Sequence, residues 1–231
     1  MNAFEVGTKQ FYDQLASYPE EIVAIMDLVL EQLFTEHMHE NNANGGLEVD
    51  PSACRIQTRP YNLACVHTLR NLNPSNIDQL VAVQGMVTRV SPVIPDLAIG
   101  FFKCILCNQT DEVMIDRGQI DEPQSCPNCR NKFCMDYIHN RCKFKDKQMI
   151  RLQETPGDIP EGETPQAITL FAFDDLVDSV RPGDNVEVTG IFRAIPKRVN
   201  PRMRSVRSVY KTHFDVRFFV LPLPSCSFHA P

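Results

Sequence analysis

In the stretch "YPEEIVAIMDLVLEQLFTEHM" the apolar residues Ile22, Met26, Val29 and Leu33 fall three and four positions apart. That spacing predicts a helix with one buried stripe. Pro19 suits its first position, and Glu20 and Glu21 sit well in a positive first turn. Upstream, Phe4, Phe11 and Leu15 share a similar face. Residues 1–50 therefore predict a small helical bundle, ended by the loop "ENNANGGLEVDP".

Past Pro51 the period changes from helical to strand-like. "NPSNIDQL" predicts a short helix with Asn73 as its cap and Pro74 at its first position. "VAVQGMVTRV" predicts a strand with a bulge or sharp bend at Gly85. "KQMIRLQET", "QAITLFAF" and "NVEVTGIFRAI" add three β-rich runs, the last preceded by the turn "RPGD". "SVRSVYKTHFDVRFFV" pairs with the run before it as a long hairpin with a polar tip at 196–205. Strict alternation places Arg89 on the face of Val87 and points Arg151 away from the core, while Phe171 and Phe173 are expected to face the core rather than serve as stacking platforms. The predicted class is mainly β with an α-helical subdomain, its strands closing an OB-type Greek-key barrel.

Cysteine spacing changes the picture between positions 100 and 142. Cys104 and Cys107 form one Cys-x-x-Cys pair, Cys126 and Cys129 a second, with eighteen residues between. Two such turns present four sulfurs to one tetrahedral zinc ion, and the spacer lies in the range of zinc ribbons. A redox motif would be a single pair beside a βαβ pattern; redox or disulfide use is the competing reading. Four thiolates close a site and make it structural, one Zn²⁺ per chain. Cys134, Cys142 and His139 lie nearby, either as an alternative ligand or, the plainer reading, as small buried residues and a surface histidine. Cys54, Cys65 and Cys226 have no partner spacing.

Composition adds bounds. The chain has 231 residues, 43% hydrophobic and 23% charged, enough for one large or a few small globular units. No apolar run is long enough to span a membrane, and the N-terminus has no signal-peptide pattern. A reducing intracellular setting follows as the expectation. Net charge is −6, but residues 1–50 hold ten acids against Lys9, and residues 193–217 hold eight cations against Asp215. The hairpin cations Arg193, Lys197, Arg198, Arg202, Arg204 and Arg207 are candidates for neutralising phosphates. The plain alternative is a solvated charged hairpin. No phosphate-binding G-x-x-x-x-G-K-[ST] loop and no G-x-S-x-G occurs, so no catalytic residue is assigned and no ATP site is expected.

The segments "NLNPSNIDQLVAVQGMVTRVSPVIPD", "FFKCILC", "IDRGQIDEPQSCPNC", "IHNRCKFKDKQMIRLQETP", "LVDSVRPGDNVEVTGIFRAIPKRVNP" and "SVYKTHFDV" together resemble the N-terminal region of the minichromosome maintenance (MCM) replicative helicases, subunit four above all. The resemblance implies a helical subdomain at 1–50 and an OB-fold at 51–100 and 141–220 with a basic hairpin at 193–210. It also implies a zinc ribbon inserted at 101–140. It adds Arg89 and Arg151 to the single-strand contacts, and implies binding of single- and double-stranded DNA in the nucleus. Other MCM subunits are the implied partners, in a hetero-hexamer whose zinc ribbons meet head to head in a double hexamer. The ATPase half of such a helicase is missing from this chain, and "LPLPSCSFHAP" at 221–231 resembles nothing in the family. The reading from a different class is a stand-alone zinc-ribbon and OB module that binds single-stranded nucleic acid.

Overall fold

The computed structural model describes residues 3–43, 56–114, 122–196 and 208–220. The loop after the helices starts later than expected, since its first four residues, 40–43, are still helical; the rest of it, the hairpin tip with Lys197, Arg198, Arg202, Arg204 and Arg207, the tail at 221–231, Cys54 and Cys226 lie outside the described residues. The chain divides into two compact units. One holds residues up to Val90 with Ile150–Phe171 and the chain from Val180; the other holds Ser91–Met149 with Ala172–Ser179.

In the first unit two helices come first, α1 (Ala3–Ser17) and α2 (Pro19–Ala43), with Glu20 and Glu21 in the first turn of α2. They are tied to the following segment: Thr58 N–H donates to Asp27 Oδ1 at 2.6 Å and Ala64 N–H to the Tyr12 hydroxyl at 3.1 Å. The expected stripe of α2 is covered only in its first half: Ile22 and Met26 are half-buried beside the buried Pro19 and Val23, whereas Val29 and Leu33 are exposed and Phe34 and Met38 are half-buried in their place. A helix this apolar carries two parallel rows, and spacing alone does not say which row is covered.

Strands β1 (Val66–His67), β2 (Leu80–Val90), the end of β6 (Lys143–Gln153), β7 (Ala167–Phe173), β8 (Asn185–Ile195) and β9 (Lys211–Val220) follow. β2 pairs antiparallel with β8, β8 antiparallel with β9, β9 parallel with β7, β7 neighbours β6, and β6 returns antiparallel to β2. The five strands close a barrel in ring order first–second–third–fifth–fourth, the Greek-key closure expected. Its interior is filled from alternating positions: Val87, Ile150, Leu152, Leu170, Val186, Val188 and Phe214 are all at most 1% exposed. Arg70 and the buried Glu154 seal one edge as an ion pair at 2.9 Å, with Glu163 on the same guanidinium.

Three expectations change. The predicted capped helix at Asn73 is one 3₁₀ turn, Pro74–Asn76, with no side-chain cap. Phe171 and Phe173 are half-buried on the side opposite Leu170 and Ala172, the residues that fill the interior. Phe171 stacks edge-on against His213 at 5.2 Å. Gly85 is not a bulge: it stays in register with Val186, and it is glycine because a Cβ there would lie 2.7 Å from the Gln153 carbonyl oxygen. Gly190 is tighter still, its added Cβ falling 2.3 Å from the Asp215 carbonyl oxygen and 2.8 Å from the buried Phe214 ring. Gly190→Ala is expected to lower stability by about 2–3 kcal/mol through overpacking, read as a fall in the urea midpoint at constant m-value.

The second unit is built on β3 (Ile94–Cys104). It pairs antiparallel with β4 (Thr110–Met114), with β5 (Met135–Tyr137) and with the first half of β6. Buried Gln148 pins its base, donating to Ser91 O at 3.0 Å and Asp178 Oδ1 at 2.6 Å while accepting from Asp178 N–H at 3.0 Å. At the far end of β3 the packed residues are sulfur-bearing: Cys104, Cys126 and Cys134, with Cys107, Cys129 and Met135 against them.

Candidate metal centre and nucleic-acid interface

The two Cys-x-x-Cys segments fold the same way. Asn108 N–H donates to Cys104 O at 3.0 Å while Cys104 N–H donates to Gln109 O at 2.8 Å. The second segment repeats this, with Arg130 N–H on Cys126 O at 3.0 Å and Cys126 N–H on Asn131 O at 3.1 Å. Each turn closes through a left-handed residue, Asn108 (φ 57°) and Arg130 (φ 56°). Such a turn aims both sulfurs of its segment the same way.

The sulfurs converge. Cys104 Sγ lies 3.6 Å from Cys129 Sγ, and Cys107 Sγ lies 3.4 Å from Cys126 Sγ. All are free thiols, too far apart for disulfides. Bonds of 2.3 Å to a tetrahedral ion put sulfurs about 3.8 Å apart, so this donor set fits a metal ion. Cys134 joins them, 3.6 Å from Cys104 Sγ and 4.0 Å from Cys129 Sγ. Cys104, Cys126, Cys129 and Cys134 have their sulfurs mutually within 4.8 Å. The other two neighbours do not join. Cys142 accepts from Phe101 N–H and donates to Ile138 O, and the His139 ring packs on Phe144 at 5.5 Å.

Electrostatics in the cluster point the same way. The Cys107 backbone N–H lowers the Cys104 thiol to about 6, and the Cys129 backbone N–H lowers Cys126. The Gln109 amide pulls Cys107 down, but burial and the adjoining thiols outweigh it and push it up to about 11. Burial first, then Cys104, raises Cys134. Crowded thiols resist ionising together unless a cation sits among them.

Cys134 is the site residue that spacing alone underweights. The available signal was its position five residues after Cys129, directly after a segment that already turns sharply.

On the barrel, Arg89 and Arg151 are directly opposite each other in the β2–β6 ladder. Alternation would have sent Arg89 to the side of Val87, which is fully buried. A bulge prevents this: Val87 pairs with Leu152 and Arg89 with Arg151, leaving Thr88 as the extra residue. The Thr88 hydroxyl donates to the Arg151 carbonyl at 3.0 Å and fixes the kink. One added residue reverses the face of everything after it. Thr88, Arg89 and Arg151 are all exposed, Arg151 between buried Ile150 and Leu152 as expected. Arg151 donates to the Thr169 hydroxyl at 3.2 Å, and among the described residues no carboxylate pairs with either guanidinium. Like charges directly opposite in a ladder are destabilising, and among the described residues nothing neutralises this pair.

Arg193, another candidate cation, lies between two carboxylates, 3.0 Å from Glu20 Oε2 and 2.7 Å from Asp215 Oδ2. A phosphate reaching it would have to displace one of them.

Residues 68–196 match a protein family described as MCM OB domain. The chain is 48% identical over 208 residues to the DNA replication licensing factor mcm4-A of Xenopus laevis, covering 90% of this chain and 23% of that protein. It is 46% identical over 211 residues to the DNA replication licensing factor mcm4 of Schizosaccharomyces pombe, with the same coverage of 90% and 23%. Similarity to the DNA replication licensing factor MCM6 of Oryza sativa subsp. indica is weaker, 36% over 138 residues, or 59% of this chain and 17% of that protein. The chain spans 23% of the length of the first two of these relatives.

Proposed function

The chain belongs to the MCM family, and from that premise we propose that it is the single-strand-binding and ring-building N-terminal region of a subunit-four replicative helicase. Its work is DNA replication in the nucleus: loading at origins, then unwinding at forks. The observation that carries the DNA-binding part is the Arg89–Arg151 pair, two cations held opposite each other by a bulge at a cost to the sheet. An anion that bridges them offsets that cost, and a nucleic-acid backbone supplies such anions in series. The hairpin cations Lys197, Arg198, Arg202, Arg204 and Arg207 extend the basic surface in this reading, and Arg193 joins them only by giving up Glu20 or Asp215. Titrating a labelled single strand of mixed sequence with the chain tests it. Saturable binding that weakens with salt is expected; no binding at low salt would contradict the reading.

In the same reading the cysteine cluster holds one structural zinc ion through Cys104, Cys107, Cys126 and Cys129, and residues 101–140 form a zinc ribbon. The thiol separations of 3.4–3.6 Å support this. When bound, the ion neutralises the thiolates and cross-links the two turns; it does no catalysis. The two helices form the helical subdomain, and other MCM subunits are the partners in a hetero-hexamer, with ribbons meeting when two hexamers join.

Because the ring neighbours would be different proteins, light scattering of the chain alone is expected to give a monomer or weak association. A stable homohexamer would contradict the heteromeric reading. The chain alone is also expected to turn over no ATP, since no phosphate-cradling glycine–lysine loop occurs in it. Turnover above a buffer blank would overturn that.

A further inference from the structure

We propose that Cys134 is a fifth, exchangeable metal ligand that takes the place of Cys107, so that the ion is held by either of two four-thiolate sets sharing Cys104, Cys126 and Cys129. The proposal rests on the zinc reading above. Its first support is distance: Cys134 Sγ stands 3.6 Å from Cys104 Sγ, the same separation as Cys104 from Cys129. Its second is the tetrad. Among the described residues the four sulfurs mutually within 4.8 Å are those of Cys104, Cys126, Cys129 and Cys134; Cys107 lies 3.4 Å from Cys126 and also adjoins Cys104 and Cys129, so Cys107 and Cys134 border the same three thiols.

A third support lies in the backbone. Phe133 takes a left-handed conformation (φ 55°) and leaves its ring 86% exposed, while the next residue, Cys134, is 6% exposed. For burial alone the arrangement is the wrong way round, since a ring buries far more apolar surface than a thiol. A bulky residue at positive φ also costs about 1 kcal/mol or more. The kink brings Cys134 O onto Ile105 N–H at 2.9 Å, coupling this residue to the first Cys-x-x-Cys turn. In the exchange, the Cys107 thiolate leaves and gains a proton, and Cys134 gives up the proton it now donates to Asn131 O at 3.1 Å. Net charge at the site is unchanged.

Cobalt(II) is the probe, because its thiolate-to-metal charge-transfer absorbance scales with the number of sulfurs bound. The full chain, Cys134→Ser and Cys107→Ser should each bind one cobalt with the same four-thiolate intensity. The double variant Cys107→Ser/Cys134→Ser should fall to roughly three-quarters of it, three thiolates remaining of four. Cys107→Ala, which offers no oxygen in place of sulfur, should keep full intensity as well. If Cys107→Ser and Cys107→Ala both drop to the double variant's intensity, or fail to hold cobalt while Cys134→Ser binds normally, the exchange is overturned and the zinc reading stands. If the unmodified chain binds no cobalt, the zinc reading falls and the exchange with it.

Discussion

Stripping the metal from the cysteine cluster is expected to unfold the segment around it while the barrel stays folded. The packed residues at the far end of β3 are sulfur-bearing: Cys104, Cys126 and Cys134 buried, with Cys107, Cys129 and Met135 against them. Their apolar neighbours face water instead, Ile105 at 69%, Leu106 at 64% and Phe133 at 86% exposure. Without an ion, nothing apolar replaces the lost cross-link. Metal binding at such sites is folding free energy, about 10–16 kcal/mol apparent in isolated zinc-finger peptides. The barrel draws on a different store, a filled interior that includes Val87, Ile150, Leu152 and Phe214. Chelation should therefore abolish hydrogen-exchange protection at the amides of Asn108 and Arg130, which close the two turns, and leave barrel amides protected. Cys126→Ser should do the same, because Cys126 belongs to both four-thiolate sets. Unchanged protection at those amides after complete metal removal would refute a structural role for the ion.

How far the sequence specified all this depends on the kind of signal. Period-two patterning works where one face is buried along a straight strand, which is why β6 matches its expectation; β8 and β9 pair as the expected hairpin stem, but with a register shift between Thr189 and Gly190 that no alternation foretells. The Cys-x-x-Cys turns are local, and spacing alone brings their sulfurs together. Failures share one cause: a tertiary choice between locally equivalent options. Thr88 and Arg89 could continue the alternation or form a bulge, and only the partner strand decides. Phe171 and Leu170 are both good core residues, and the register of β7 against β9 selects Leu170. Val29 and Phe34 sit on adjacent rows of one apolar helix, and the covered row is chosen by what packs there. Cys134 has no knuckle partner in sequence, so its place in the cluster comes from the kink at Phe133 rather than from any motif.

Replacing both Arg89 and Arg151 with alanine is expected to weaken single-strand binding strongly while leaving the fold intact. Each guanidinium is exposed, and the two are in direct register across β2 and β6. A surface arginine engaged in an ordinary ion pair contributes only about 0–1 kcal/mol to stability. Here no pairing carboxylate is found among the described residues, so removal relieves repulsion, and the melting temperature should hold or rise slightly. Binding should respond the other way. Each phosphate contact to a single strand releases about 0.7 of a counterion, so loss of one basic side chain that makes such a contact flattens the salt dependence by about 0.7 of a unit. The loss should be uniform across sequences, because phosphates carry no base identity.

The most direct test is therefore a salt series of fluorescence-anisotropy titrations on one labelled single strand, comparing the unmodified chain with Arg89→Ala/Arg151→Ala. The predicted result is a salt slope shallower by roughly 1.4 units in the double variant, with unchanged circular dichroism and metal content. An unchanged slope with binding intact would contradict the assignment and move the contact to other cations of the chain.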